Sequence, residues 1–212
     1  MFNLAVALLL NLPTTPITVM VIDTGVQTLQ DERLYSCSHK LNFNAIHPSS
    51  SHGQAISRLI KERTLGKNVC QIIARGVGDK EELPMRAYIN ALRWAAMLKP
   101  DIVNLSLSGY YNVDEERMLI KSLLDGGTVV VAAAGNESQT IDSTSDIYPA
   151  NSDPRVIVAS SPAPFTNHGP RVNVMVPESK YYFYKAHVNA SSKATAETSA
   201  MIANILVSRG RL

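Results

Sequence analysis

Cysteine is scarce in this sequence. Basic clusters, long apolar runs and nucleotide-binding glycine motifs are missing. The 212 residues hold two cysteines, Cys37 and Cys70. Two do not make a disulfide framework, and neither has the Cys-x-x-Cys or His-x-x-His neighbour that a zinc site uses. The expectation is therefore two free, partly buried thiols. Twenty Lys and Arg stand against 18 Asp and Glu, a formal charge of +2. With no basic patch, nothing in this balance predicts a nucleic-acid partner or an anionic membrane surface. No run approaches the roughly 20 apolar residues of a membrane span. The stretch Leu4–Leu10, LAVALLL, has the length of a signal's hydrophobic region, which would favour a secreted or periplasmic protein. No Lys or Arg precedes it and no Ala-x-Ala follows it, so a buried terminal segment is the competing reading. Neither Gly-x-Gly-x-x-Gly nor Gly-x-x-x-x-Gly-Lys-Ser/Thr occurs, which removes the support for a nucleotide-binding domain.

What is present is globular: 45% hydrophobic and 18% charged residues, without repeats, low-complexity tracts or linkers. A chain of this length can bury roughly 70% of its unfolded surface in one core. We expect an apolar segment over residues 1–16 and a single domain over 17–212. Ile17–Ile22 is a short β-branched run between Pro16 and Gly25, a buried strand. Ala55, Ile56, Leu59 and Ile60 recur at helical spacing after His52. A further apolar run lies within Val69–Val77, and Asp79 could cap a helix whose inner face holds Tyr88, Ile89, Leu92, Ala95 and Ala96, ended by Pro100. Then follow a strand over Ile102–Leu107, a helix over Asp114–Asp125, and strands over Thr128–Ala134, Arg155–Ala159 and Val172–Val176. A terminal helix is expected over Thr198–Val207. This alternation predicts an α/β fold of three layers, a mostly parallel sheet with helices on both faces.

In such sheets functional groups gather at the carboxyl ends of the strands. Asp23-Thr24-Gly25 follows the first strand and Gly135-Asn136 the Thr128–Ala134 strand, while His52-Gly53 and Thr198-Ser199 stand at the expected starts of helices. Each has an ordinary reading as well: a turn or cap for the aspartate and serine, a left-handed turn for the asparagine, a surface residue for the histidine. Their local contexts narrow the choice. VMVIDTGV, SHGQAIS, VVVAAAGNES and AETSAMIANIL resemble, in that order, the four motifs of the subtilase family: a strand ending in Asp-Thr-Gly, His-Gly-Thr-x-Val-Ala, Ala-Gly-Asn, and Gly-Thr-Ser-x-Ala-x-Pro. ALRWAAMLKPDIVNLSLSG, YPANSDPRVIVAS and PFTNHGPRVNVMVP are similar to segments between them. The resemblance thus runs from about Ile17 to Val207.

The resemblance implies a serine endopeptidase acting on polypeptides through an acyl-enzyme, with a subtilisin-like fold. Asp23, His52 and Ser199 would be its triad and Asn136 its oxyanion donor. Ser106, Leu107, Ser108 and Gly109 would receive the peptide as an added strand. No cofactor is implied for catalysis. Structural calcium is frequent in the family, but no metal loop is apparent here. No prodomain is apparent either, which allows for a separate folding helper as a partner, since parallel topologies fold slowly. Glu197, Met201, Ala203, Gln54 and Ser108 depart from the family pattern. Glu197 and Met201 keep open the alternative of a weakened or inactive relative that binds peptides. An aspartic peptidase, which would share Val-Ile-Asp-Thr-Gly, is disfavoured by the α/β pattern and the lack of a second Asp-Thr-Gly.

Overall fold

The computed structural model describes residues 15–25, 37, 52–75, 84–177, 181–183, 186–188 and 190–209. Its elements are β1 (Ile17–Asp23), α1 (His52–Arg63), β2 (Val69–Arg75), α2 (Met85–Leu98), β3 (Ile102–Leu105), α3 (Asp114–Asp125), β4 (Val129–Ala133), β5 (Ile157–Ser160), β6 (Val174–Met175), β7 (Tyr181–Phe183), β8 (Ala186–Val188) and α4 (Ala190–Arg209). Strands β1 to β6 form one sheet in the order β2-β1-β3-β4-β5-β6, every pair parallel. β7 and β8 pair as a small antiparallel ribbon.

Successive residues of β1 serve opposite layers, as a pleated strand requires. Ile17, Val19 and Val21 pack with Ile56, Leu59 and Ile60 of α1 and with Ala200, Ala203 and Leu206 of α4. Met20 and Ile22 pack on the other face with Tyr88 and Leu92 of α2 and Ile120 and Leu123 of α3. The sheet therefore lies between two helix layers. The chain moves outward one way from β1 to β2 and the other way from β3 to β6. The reversal lies between β1 and β3, where open α/β sheets leave a crevice at their carboxyl edge.

Most element ends follow local chemistry. α2 stops at Lys99, which takes the left-handed conformation (φ 50°) and returns its N–H to Ala95 before Pro100. α3 opens with Asp114, Glu115 and Glu116 in its first turn, where carboxylates favour the helix dipole. Asp79 lies outside the described residues.

Three expectations need correction. α4 begins at Ala190, not near Thr198. β3 ends at Leu105, because the Ser106 side chain turns to bond with α4. Cys37 and Cys70 are not free thiols; they form a disulfide with a Cα separation of 4.9 Å. Their 33-residue separation in sequence carried no sign of that proximity.

Candidate active site

Asp23 is the last residue of β1 and is 1% exposed. Its Oδ1 accepts the Thr24 N–H at 2.7 Å and lies 2.9 Å from His52 Nδ1, with Oδ2 at 3.1 Å. A carboxylate at Nδ1 holds the ring proton there, which leaves Nε2 as the basic nitrogen. The contact depends on a close approach of α1 to the end of β1. The Gly53 N–H donates to Thr24 Oγ1 at 2.9 Å, and a Cβ at Gly53 would fall 2.6 Å from the Gly25 carbonyl oxygen. The Thr-Gly after the aspartate and the Gly after the histidine are thus what bring acid and imidazole together.

Asn136 follows β4 across Gly135, whose φ is +95°. Its Oδ1 accepts the Ser191 N–H at 3.2 Å and the Ser191 hydroxyl at 2.9 Å. A backbone N–H only donates, so the atom facing it is the oxygen, and the Nδ2 donor points elsewhere. Ser191 belongs to the first turn of α4. That turn opens at Ala190 with φ +56°, a conformation glycine adopts most readily. Next comes Ser192, half-buried, with its Oγ 3.3 Å from the Ser106 carbonyl; the Ser106 hydroxyl donates to the Ser192 carbonyl at 3.1 Å. α4 packs directly on α1, so the turn carrying Ser191 and Ser192 and the one carrying His52 open neighbouring helices.

Ser199 is not in that turn. It lies mid-way along α4, fully buried, and its hydroxyl donates to Asn104 Oδ1 at 3.0 Å. Thr198-Ser199 repeats the family's Thr-Ser literally, but the structure does not bring Ser199 together with Asp23, His52 or Asn136. The stretch ASSKATA at 190–196 fits Gly-Thr-Ser-x-Ala-x-Pro in physical terms, with Ala190 in the left-handed glycine position and Ser192 at the serine.

The departures at Glu197 and Met201 also change meaning. Glu197 binds Arg63 Nη2 at 2.8 Å and Lys193 Nζ at 3.0 Å, and Met201 is an exposed residue of α4. Burial would raise the Glu197 carboxyl, but the hydrogen bonds from Arg63 and Lys193 outweigh it and hold it below the ordinary carboxylate range.

Ser106 is buried, and Leu107, Ser108 and Gly109 are half-buried. Gly109 exchanges both backbone hydrogen bonds with Tyr148, at 2.8 Å each, so its N–H is already engaged. Among the described residues no cluster of three or more His, Cys, Asp or Glu could hold a metal ion. Asp142, in a surface turn, accepts the Thr144 N–H and the Thr144 and Ser145 hydroxyls at its carboxylate and donates its own N–H to Ser145 Oγ.

Comparisons with known proteins agree with this architecture. A model of the subtilase family matches residues 15–210. The chain is 31% identical over 94 residues to subtilisin of Bacillus pumilus, covering 42% of this chain and 34% of that protein. It is 25% identical over 183 residues to the major intracellular serine protease of Bacillus subtilis strain 168, covering 76% and 57%. The chain thus spans between about a third and just over half of those two relatives' lengths. A cold adapted subtilisin-like serine proteinase superposes with a TM-score of 0.74 at 21% identity, over 92% of this chain and 77% of that one. A lanthipeptide protease superposes with a TM-score of 0.74 at 14% identity, over 90% and 73%. The chain belongs to the subtilase family.

Proposed function

We propose that the domain, residues 17–212, is a serine endopeptidase whose nucleophile is Ser192. The observation that carries this reading is the pairing of the first turn of α4 with Asn136 through Ser191, beside an α1 whose first residue is paired with Asp23. A hydroxyl needs a base to attack a peptide carbonyl. His52 Nε2 takes the Ser192 proton as Oγ bonds to the carbonyl carbon. Asp23 orients the ring and stabilises its charged form without taking the proton itself. The oxygen of the tetrahedral adduct collects negative charge, and Asn136 Nδ2 and the Ser192 N–H donate to it. The first N–H groups of a helix have no partner within the helix, and the dipole there favours an anion. His52 then gives its proton to the leaving amine as the C–N bond breaks. Water repeats the sequence on the ester, restoring Ser192 Oγ–H and releasing the new carboxyl terminus.

The substrate is a polypeptide in extended form, added alongside Ser106–Ser108. The Cys37–Cys70 disulfide favours an oxidising compartment such as the periplasm or cell exterior. Glu197, one source of the weakened-relative alternative, is accounted for by its pairing with Arg63 and Lys193.

The test is covalent labelling with a fluorophosphonate. The parent should label, Ser192→Ala and His52→Ala should lose labelling, and Ser199→Ala should keep it. A folded parent that does not label, or a Ser192→Ala variant that still does, removes this assignment.

A further inference from the structure

Asn104 is a polar residue at 0% exposure in a strand otherwise made of Ile102, Val103 and Leu105. Asn104 pairs in register with Val21 and points into the layer of α1 and α4. A buried amide there costs stability unless its hydrogen bonds are made. It makes two, and both lead somewhere. The Ser199 hydroxyl donates to Oδ1 at 3.0 Å. Nδ2 donates to Ser106 Oγ at 3.0 Å. Ser106 in turn donates its own proton to the Ser192 carbonyl at 3.1 Å, while the Ser192 hydroxyl faces the Ser106 carbonyl at 3.3 Å.

We propose that Ser199 and Asn104 are positioning residues that hold the turn bearing Ser192 in register with the strand end that receives the substrate. The inference rests on Ser192 being the nucleophile. The direction of each link gives the reason. Asn104 Oδ1 accepts the Ser199 proton while its NH₂ donates to Ser106 Oγ, so both ends of the buried amide are engaged. With the oxygen toward Ser199, the NH₂ group faces Ser106 and occupies a lone pair there. The Ser106 proton is left for the Ser192 carbonyl. Without the Ser199 hydroxyl, Asn104 Oδ1 loses its donor in a buried site, which is costly. Turned over, the amide would present its oxygen to Ser106, draw the Ser106 proton to itself and release Ser192. The hydroxyl that fixes the brace and the nucleophile it braces lie on one helix, two turns apart.

The experiment measures kcat and KM for an extended peptide, the rate of labelling by a small fluorophosphonate, and Tm. It uses the parent, Ser199→Ala, Ser106→Ala, the double variant and Ser192→Ala. A peptide needs both the strand end and the nucleophile, whereas the probe needs only the nucleophile. Ser199→Ala should lower kcat/KM on the peptide about tenfold and probe labelling by no more than about threefold, the upper and lower ends of one hydrogen bond. Because Ser199 and Ser106 act through one relay, the double variant should be no worse than the weaker single variant. Equal losses on peptide and probe, additive losses, a change in Tm alone, or no change would each overturn the proposal. Labelling that persists in Ser192→Ala would instead show that the nucleophile is misassigned, and the relay would then lead to no reacting group.

Discussion

Glu116 is a carboxylic acid almost wholly enclosed between α3 and the turn after Tyr148, at 2% exposure. Its oxygen accepts the Ser152 hydroxyl. Burial lifts its pKa from 4.5 to about 7, partly offset by that hydrogen bond. The folded protein therefore keeps a proton that the unfolded chain releases. The stabilising contribution is complete below about pH 4.5 and is lost as pH rises through about 7. The expected outcome is a fall in unfolding free energy of up to about 3 kcal/mol between pH 4.5 and 8, absent in Glu116→Gln. Urea melts across that range check it, and parallel pH curves for parent and variant would contradict it. Arg171 has a comparable structural role. Its buried guanidinium binds the carbonyls of Ala150, Asp153 and Val156 and the side chains of Asn151 and Asn173, bracing the turn that follows Tyr148.

Among the elements, α1 is closely placed, because Gly53 beside His52 sits against the Gly25 backbone. Gly53→Ala should push α1 outward, costing about 1–3 kcal/mol of stability as overpacking does. It should also slow fluorophosphonate labelling far more than a surface change on the same helix, such as Arg58→Ala. Equal labelling rates for the two variants would contradict this. The first three helices and the five longer sheet strands were legible in the sequence, since their apolar residues recur with the period of the element that holds them. α4 was legible only in its second half. Its buried positions include Ala190, Ser191, Lys193, Ala194, Thr195 and Ala196, so no apolar stripe marks the first two turns. The same lack of contrast hid Ser191 and Ser192, which are visible only through the left-handed residue before them. Asn104 was visible in outline as a polar residue inside an apolar strand, but its partners come from α4 and a loop, and no local pattern joins them. Asp23, His52 and Asn136 stood out as candidates because each follows a strand or opens a helix at the carboxyl edge of the sheet.

At the scale of the molecule, one crossover reversal sets the carboxyl ends of β1 and β3 side by side, and the disulfide ties Cys37, in the chain between Asp23 and His52, to β2 at the sheet edge. In the chain-entropy account a closed loop of that size contributes about 3–4 kcal/mol. Cys70→Ser should therefore shift the urea midpoint down, and a reducing agent should do the same to the parent but not to the variant. An identical response of both to reductant would contradict it. The order of the parts along the chain has a further consequence. The acid and histidine are made first, but the serine turn and the helix that buries β1, β3 and β4 on one face come last among the described elements. On the assignment proposed above, a chain still on the ribosome holds the acid and the imidazole before it holds the serine. On the proposed assignment the reaction centre is complete only once α4 has been made.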